Sequence, residues 1–202
     1  MKKKLANASY ELPLIKITQN TKRILALDPG SRNMGISLVS YHPATEEICV
    51  SVNSIVTSPL ADIRFFNAQR NVFLDEVGRW IKLYEPHGIV AERFQSRGLK
   101  GSTIELVNLM LGLLGGRYSL PILLITPVTW KNDWHRRFKN DSLKLNDLYK
   151  TCRTTPHQLD SSFIGCYGLE IGIQQNLNYD CRSIVKQVEK TSCLRLINRK
   201  VS

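Results

Sequence analysis

The sequence predicts an α/β protein built on a mixed five-stranded sheet, three antiparallel strands followed by parallel ones, with helices on its faces. Residues 24–27 (ILAL) form an apolar run that stops at Asp28 and a Pro29-Gly30 turn. Residues 35–40 (GISLVS) alternate apolar and polar after a connection short enough for a hairpin. Two later apolar runs, 89–91 and 121–126, alternate with stretches of helical period. That order makes the first strand central and parallel to the fourth.

Residues 1–20 read as a basic extension, with a short strand at 14–18 and no chemistry; 21–175 form the core domain, and 176–202 a basic helix packed on it. The third strand, 47–56 (EICVSVNSIV), is rich in β-branched residues and completes a meander. From 60 to 84 the period becomes helical, with Ile63, Phe66, Val72, Phe73, Val77, Trp80 and Ile81 recurring at helical spacing and charged residues between them, a long amphipathic helix that covers the sheet. Ile89-Val90-Ala91 then leads into Glu92, a second apolar strand ending on a carboxylate, and 93–100 is a basic loop. Residues 103–114 predict a helix apolar enough to be buried on most sides, and 121–126 (PILLIT) a strand that is central or flanked on both faces. The Trp-, Lys- and Arg-rich stretch 130–150 predicts a basic surface. Thr154-Thr155-Pro156 is helix-start chemistry, with a helix over 157–169 and a last one over 181–197.

A chain of 202 residues can bury a core of its own, and five scattered cysteines with no CxxC fit reduced thiols rather than a disulfide framework or a zinc site. No secretory signal and no membrane-length apolar window is present, so a soluble, cytoplasmic protein is expected, nucleoid-associated or in a host cytoplasm if viral. The formal charge of +11, from 28 basic against 17 acidic residues, favours a polyanionic partner.

Asp28 has two readings, a turn residue before Pro-Gly or a metal or phosphate-site carboxylate. The arrival of other carboxylates decides between them. In PHQLDSSFIG, His157 and Asp160 are three residues apart and share a helix face, while Phe163 and Ile164 supply the apolar contact that docks it. Asp28, Glu92, His157 and Asp160 can therefore converge. Three carboxylates and an imidazole suit two hard divalent cations, Mg²⁺ with Mn²⁺ able to substitute, as in phosphodiester cleavage. Without HExxH or a paired-His spacing, a zinc hydrolase is disfavoured.

These residues resemble the RuvC-type Holliday junction resolvases of the RNase H-like superfamily, over about residues 23–170. The motifs are LALDPGSRNMGIS, IVAERF with Glu92, and HQLD with His157 and Asp160. The resemblance implies an RNase H-like sheet and a homodimer that binds four-way DNA junctions and nicks two strands. It implies catalytic roles for Asp28, Glu92, His157, Asp160 and Lys131 of TPVTWK, the lysine offsetting charge on the scissile phosphate. Phe94, in the loop after the glutamate, is the candidate to enter the junction, with Arg93, Arg97, Lys100, Lys131 and Lys144 as DNA contacts. Trp130 departs from the bacterial pattern, and the chain reads as a divergent member, a phage or mobile element being the expected source.

Each group also has a plainer reading. His157 can cap its helix, Glu92 can pair with Arg93 or Arg97, Asp160 can be a solvated helix residue, and Trp130, Trp134 and Phe94 can be core. Three other functions compete with the resolvase: a YqgF-type RNA-processing nuclease, a non-catalytic junction-binding protein, and an ATP-dependent phosphotransferase. The last needs a duplicated domain for which the chain has no room.

Overall fold

Five strands make one sheet in the order β3-β2-β1-β4-β5: β1 Lys22–Asp28, β2 Asn33–His42, β3 Glu47–Val56, β4 Gly88–Glu92 and β5 Ile122–Ile125. The computed structural model describes residues 21–30, 33–56, 66–93, 102–139 and 144–199. β1 pairs antiparallel with β2 and parallel with β4, so the expected hairpin, meander and central first strand all form. Helices α1 (Phe66–Tyr84) and α2 (Ser102–Arg117) cover one face, and α3 (Pro127–Phe138), α4 (Leu145–Thr151), α5 (Pro156–Ile173) and α6 (Cys181–Arg199) the other.

The strand period sorts β1 between two cores. Leu25 and Leu27 join Phe73, Val77, Trp80 and Leu106 under α1 and α2, while Ala26 joins Val39, Val90 and Phe163 under α5. Side-chain size makes the second interface close. A Cβ on Gly165 would collide with Val39, one on Gly168 with Val90, and one on Gly35 with the His157 carbonyl. Ser37 Oγ bonds Ser161 Oγ at 2.5 Å across the same contact. Phe163 and Ile164 are buried as expected, but glycines and serines bring α5 down onto β1 and β2.

Three expectations change. The strand 121–126 is not central: β5 is a sheet edge, and Leu124 is 47% exposed. A continuous apolar run cannot distinguish a strand covered on both faces from an edge strand with one open side. Helix α2 is not buried on most sides, since Leu109 and Leu113 are 48% and 38% exposed and Gly112 faces open space. In α1, Val72 points to solvent at 45% exposure; Ile63 and the predicted start at residue 60 lie outside the described residues, as does the strand at 14–18.

The stretch 130–150 has two sides. Arg136, Lys139, Lys144 and Lys150 are exposed, as the expected basic surface requires, while Trp130, Trp134 and Phe138 recur every four residues along α3 and are all buried, the core reading of the two tryptophans. Arg137 also turns inward, donating to Glu170 Oε2 at 2.7 Å and to the Leu177 carbonyl at 2.9 Å. At the opposite edge, α6 covers β3: Gln187 accepts from the Val50 N–H at 2.7 Å and donates to the Ile48 carbonyl at 3.0 Å. A side-chain amide thus completes backbone pairing that an edge strand otherwise offers to another chain. Among the described residues no helix is long and apolar enough to cross a membrane.

Candidate active site

β1 and β4 run parallel and adjacent, so both deliver their last residue to the same end of the sheet. Asp28 ends β1 and Glu92 ends β4. The third contributor is the first turn of α5, started by Thr155. The Thr155 side chain accepts from the Gln158 N–H, Gln158 reaches back to the Thr155 N–H, and Pro156 takes the first helical position. This capping box fixes where α5 begins, and the small residues beneath it fix its height above the sheet. His157 and Asp160 then meet the strand ends.

His157 Nδ1 lies 2.6 Å from Asp28 Oδ2. With Asp28 as the carboxylate, the proton of that bond is on Nδ1. The bond to Asp28 raises the imidazole pKa above its ordinary value, against the opposing effect of burial. Asp160 is buried, accepts a hydrogen bond from Tyr149 Oη and has Lys131 Nζ 3.7 Å from its Oδ2. Burial first, and then the charge of Asp28, pushes its carboxyl up to about 7. Glu92 accepts from Trp130 Nε1 at 2.6 Å; burial raises its pKa, the Trp130 bond lowers it and Asp28 raises it again. The raised values of Asp160 and Glu92 share one cause, acidic groups withdrawn from water close to one another.

That unbalanced negative charge fits a cation, and oxygen donors from three carboxylates fit a hard divalent one. A ligand shell is not already closed, for among the described residues no three His, Cys, Asp or Glu side chains are grouped to hold a metal ion. Asp28, Glu92 and Asp160 each turn an oxygen to a donor of the protein instead.

No family model and no curated protein matches the sequence. Solved structures do match. Thermus thermophilus RuvC aligns with a TM-score of 0.56 at 11% identity, over 76% of this chain and 97% of that one. The Thermus thermophilus RuvC in complex with a Holliday junction substrate gives 0.54 at 13% identity, over 71% and 90%. The yeast mitochondrial Holliday junction resolvase Ydc2 gives 0.50 at 13% identity, over 87% and 84%. The chain has the RuvC fold. The predicted RNase H-like α/β class is therefore the architecture observed, three antiparallel strands followed by parallel ones.

On this RuvC fold, Asp28, Glu92, His157, Asp160 and Lys131 come together at one end of the sheet. Arg93 and Lys144 are exposed; the Arg93 N–H bonds the Ile125 carbonyl, and Lys144 stands at the N-cap of α4. Phe94, Arg97 and Lys100 lie outside the described residues. Two residues that touch the carboxylates carried no such signal in the sequence. The four-residue spacing of Trp130, Trp134 and Phe138 marks a buried helix face, but nothing local directs an indole N–H to Glu92. Tyr149 lies on a short helix whose pattern does not single it out.

Proposed function

We propose that the chain is a structure-selective endonuclease that resolves Holliday junctions or other branched DNA by phosphodiester hydrolysis. The supporting observation is the meeting of three acidic side chains, an imidazole and an ammonium at the ends of β1 and β4 of a RuvC fold. Asp28, Glu92 and Asp160 would hold two Mg²⁺ ions, or Mn²⁺ in their place, with His157 a fourth ligand or the group that orients the attacking water. When bound, such a pair supplies charge stabilisation for both the attacking and the leaving oxygen.

The chain's own groups carry the remaining work. With Nδ1–H donated to Asp28, a neutral His157 keeps a lone pair on Nε2 that can accept a proton from water. The Lys131 side chain, 37% exposed, can reach a phosphate oxygen and offset its charge. Arg93 and Lys144 would extend the phosphate footprint that the charge of +11 implies, together with Arg97, Lys100 and the junction-entering candidate Phe94. A protein that only bound junctions would gain nothing from three clustered carboxylates facing a polyanion, because they repel it unless a cation intervenes.

Resolving a junction takes two cuts, and the described residues carry one such cluster, so we infer a homodimer. Its contact would use the open face of α2, where Leu109, Gly112, Leu113 and Gly116 fall at helical spacing and leave an apolar surface that a second helix can approach closely. Action in the cytoplasm, nucleoid-associated or in a host cytoplasm if viral, is part of this proposal.

Incubation with Mg²⁺ and either a synthetic four-way DNA junction or a structured RNA tests the reading. Nicking of the junction supports it. Cleavage of the RNA alone would move the protein to an RNA-processing role.

A further inference from the structure

Trp130 touches two members of the charged cluster, Glu92 and Lys131, without contributing a charge. Its ring is 1% exposed, packed in the core beneath α3 and α5, so its orientation is held by the fold. Its edge donates Nε1–H to Glu92 Oε2 at 2.6 Å, and its face carries Lys131 Nζ, 5.0 Å from the ring centroid. Lys131 in turn lies 3.7 Å from Asp160 Oδ2. Tyr149, from α4, donates to the other oxygen of Asp160. Burial and the neighbouring carboxylate push the phenol pKa up, so the hydroxyl remains a donor.

Both donors are neutral. An arginine in either position would orient its carboxylate and also cancel its charge, leaving less for a cation. An indole N–H or a phenol O–H fixes one oxygen and leaves the negative charge in place.

We propose that Trp130 and Tyr149 are positioning residues for the nuclease reaction, through which α3 and α4 fix the carboxylates of Glu92 and Asp160 and the ammonium of Lys131. The inference rests on the nuclease reading. It assigns this segment an inward function distinct from its basic character: its aromatic residues hold the acidic cluster while its exposed charges remain for a partner.

The test uses the full chain, stripped with EDTA, as wild type, Trp130→Phe and Tyr149→Phe. Each variant removes one donor and keeps a ring. Calorimetric titration with Mn²⁺ should give binding about tenfold weaker in each variant, and nicking should recover when Mg²⁺ is raised by about the same factor. Junction affinity without metal should be unchanged, which a merely destabilised protein would not preserve. If Trp130→Phe fails to fold, Tyr149→Phe decides alone, since it removes a single oxygen from a half-buried ring.

Mn²⁺ affinities within about twofold of wild type would overturn the positioning role while a wild type that binds Mn²⁺ and nicks leaves the nuclease reading intact. A wild type that neither binds Mn²⁺ nor nicks would overturn both.

Discussion

His157 Nδ1 and Asp28 Oδ2, 129 residues apart in sequence, stand 2.6 Å apart and join the first turn of α5 to the end of the central strand. The contact depends on Gly35, opposite Asp28 in the β1–β2 pairing, because only a residue without a Cβ lets the His157 backbone come this close.

Gly35→Ala should therefore damage the site more than the fold. Overpacking here costs about 1–3 kcal/mol, and relief of the clash moves His157 and Asp160 away from Asp28. Gly172→Ala is the control, since its Cβ would meet Ile24 at an ordinary 3.8 Å, and removal of a helix glycine should stabilise by about 0.5–1 kcal/mol. Denaturant unfolding gives the stabilities, and junction nicking gives the activity. Gly35→Ala with wild-type nicking would show that the close approach is unnecessary.

The metal-free protein should lose stability as pH rises. Asp160, raised to about 7 by burial and then by Asp28, binds its proton more tightly folded than unfolded. Its contribution is complete below its unfolded value, 3.8, and is lost as pH rises through about 7. His157, raised chiefly by its bond to Asp28, acts in the same sense above 6.5. Asp160→Asn, which mimics the protonated acid, should thus melt higher than wild type in EDTA at about pH 8 and much closer to it at about pH 5. Added Mg²⁺ should close the gap at the higher pH by stabilising the ionised wild-type site. An equal difference between the two proteins at both pH values would rule out the raised carboxyl.

The strand order and the positions of Asp28, Glu92, His157 and Asp160 could be read from the sequence because each is announced locally. Apolar runs stop at Asp28 and Glu92, and Thr155-Pro156 starts the helix that carries the other two. Trp130 and Tyr149 could not be read that way, since their partners, Glu92 and Asp160, lie across the fold. In the stretch 130–150 net charge describes only the outward side, where Arg136, Lys139, Lys144 and Lys150 are exposed. Trp130, Trp134 and Phe138 point the other way, as their four-residue spacing on α3 requires. The edge position of β5 and the open face of α2 depend on what else covers them, which no run of apolar residues records.

Leu109→Lys combined with Leu113→Lys should give a monomer by sedimentation, because two charges then occupy the open face of α2. Both side chains are already partly exposed, so the monomer fold should lose little stability. The variant should still nick one strand while paired incision of the same junction drops. An unchanged sedimentation coefficient for a dimeric wild type would place its interface elsewhere.

Removal of the imidazole separates a four-group site from one of three carboxylates. His157→Ala should lose most nicking, whereas His157→Asp, which supplies an oxygen donor beside Asp28 in place of the imidazole, should retain part of it with a weaker pH dependence. Wild-type nicking by His157→Ala would reduce the residue to a helix-terminal contact.

The most direct test of the account measures binding and nicking of one fluorescent four-way junction by wild type, Asp28→Asn, Glu92→Gln and Asp160→Asn in Mg²⁺. These substitutions remove charge with little change in shape at the three clustered acids. Every variant should bind the junction about as well as wild type, and none of them should nick it. Full nicking by any one variant would remove that residue from the site, and full nicking by all three would contradict the assignment of this cluster as the catalytic centre.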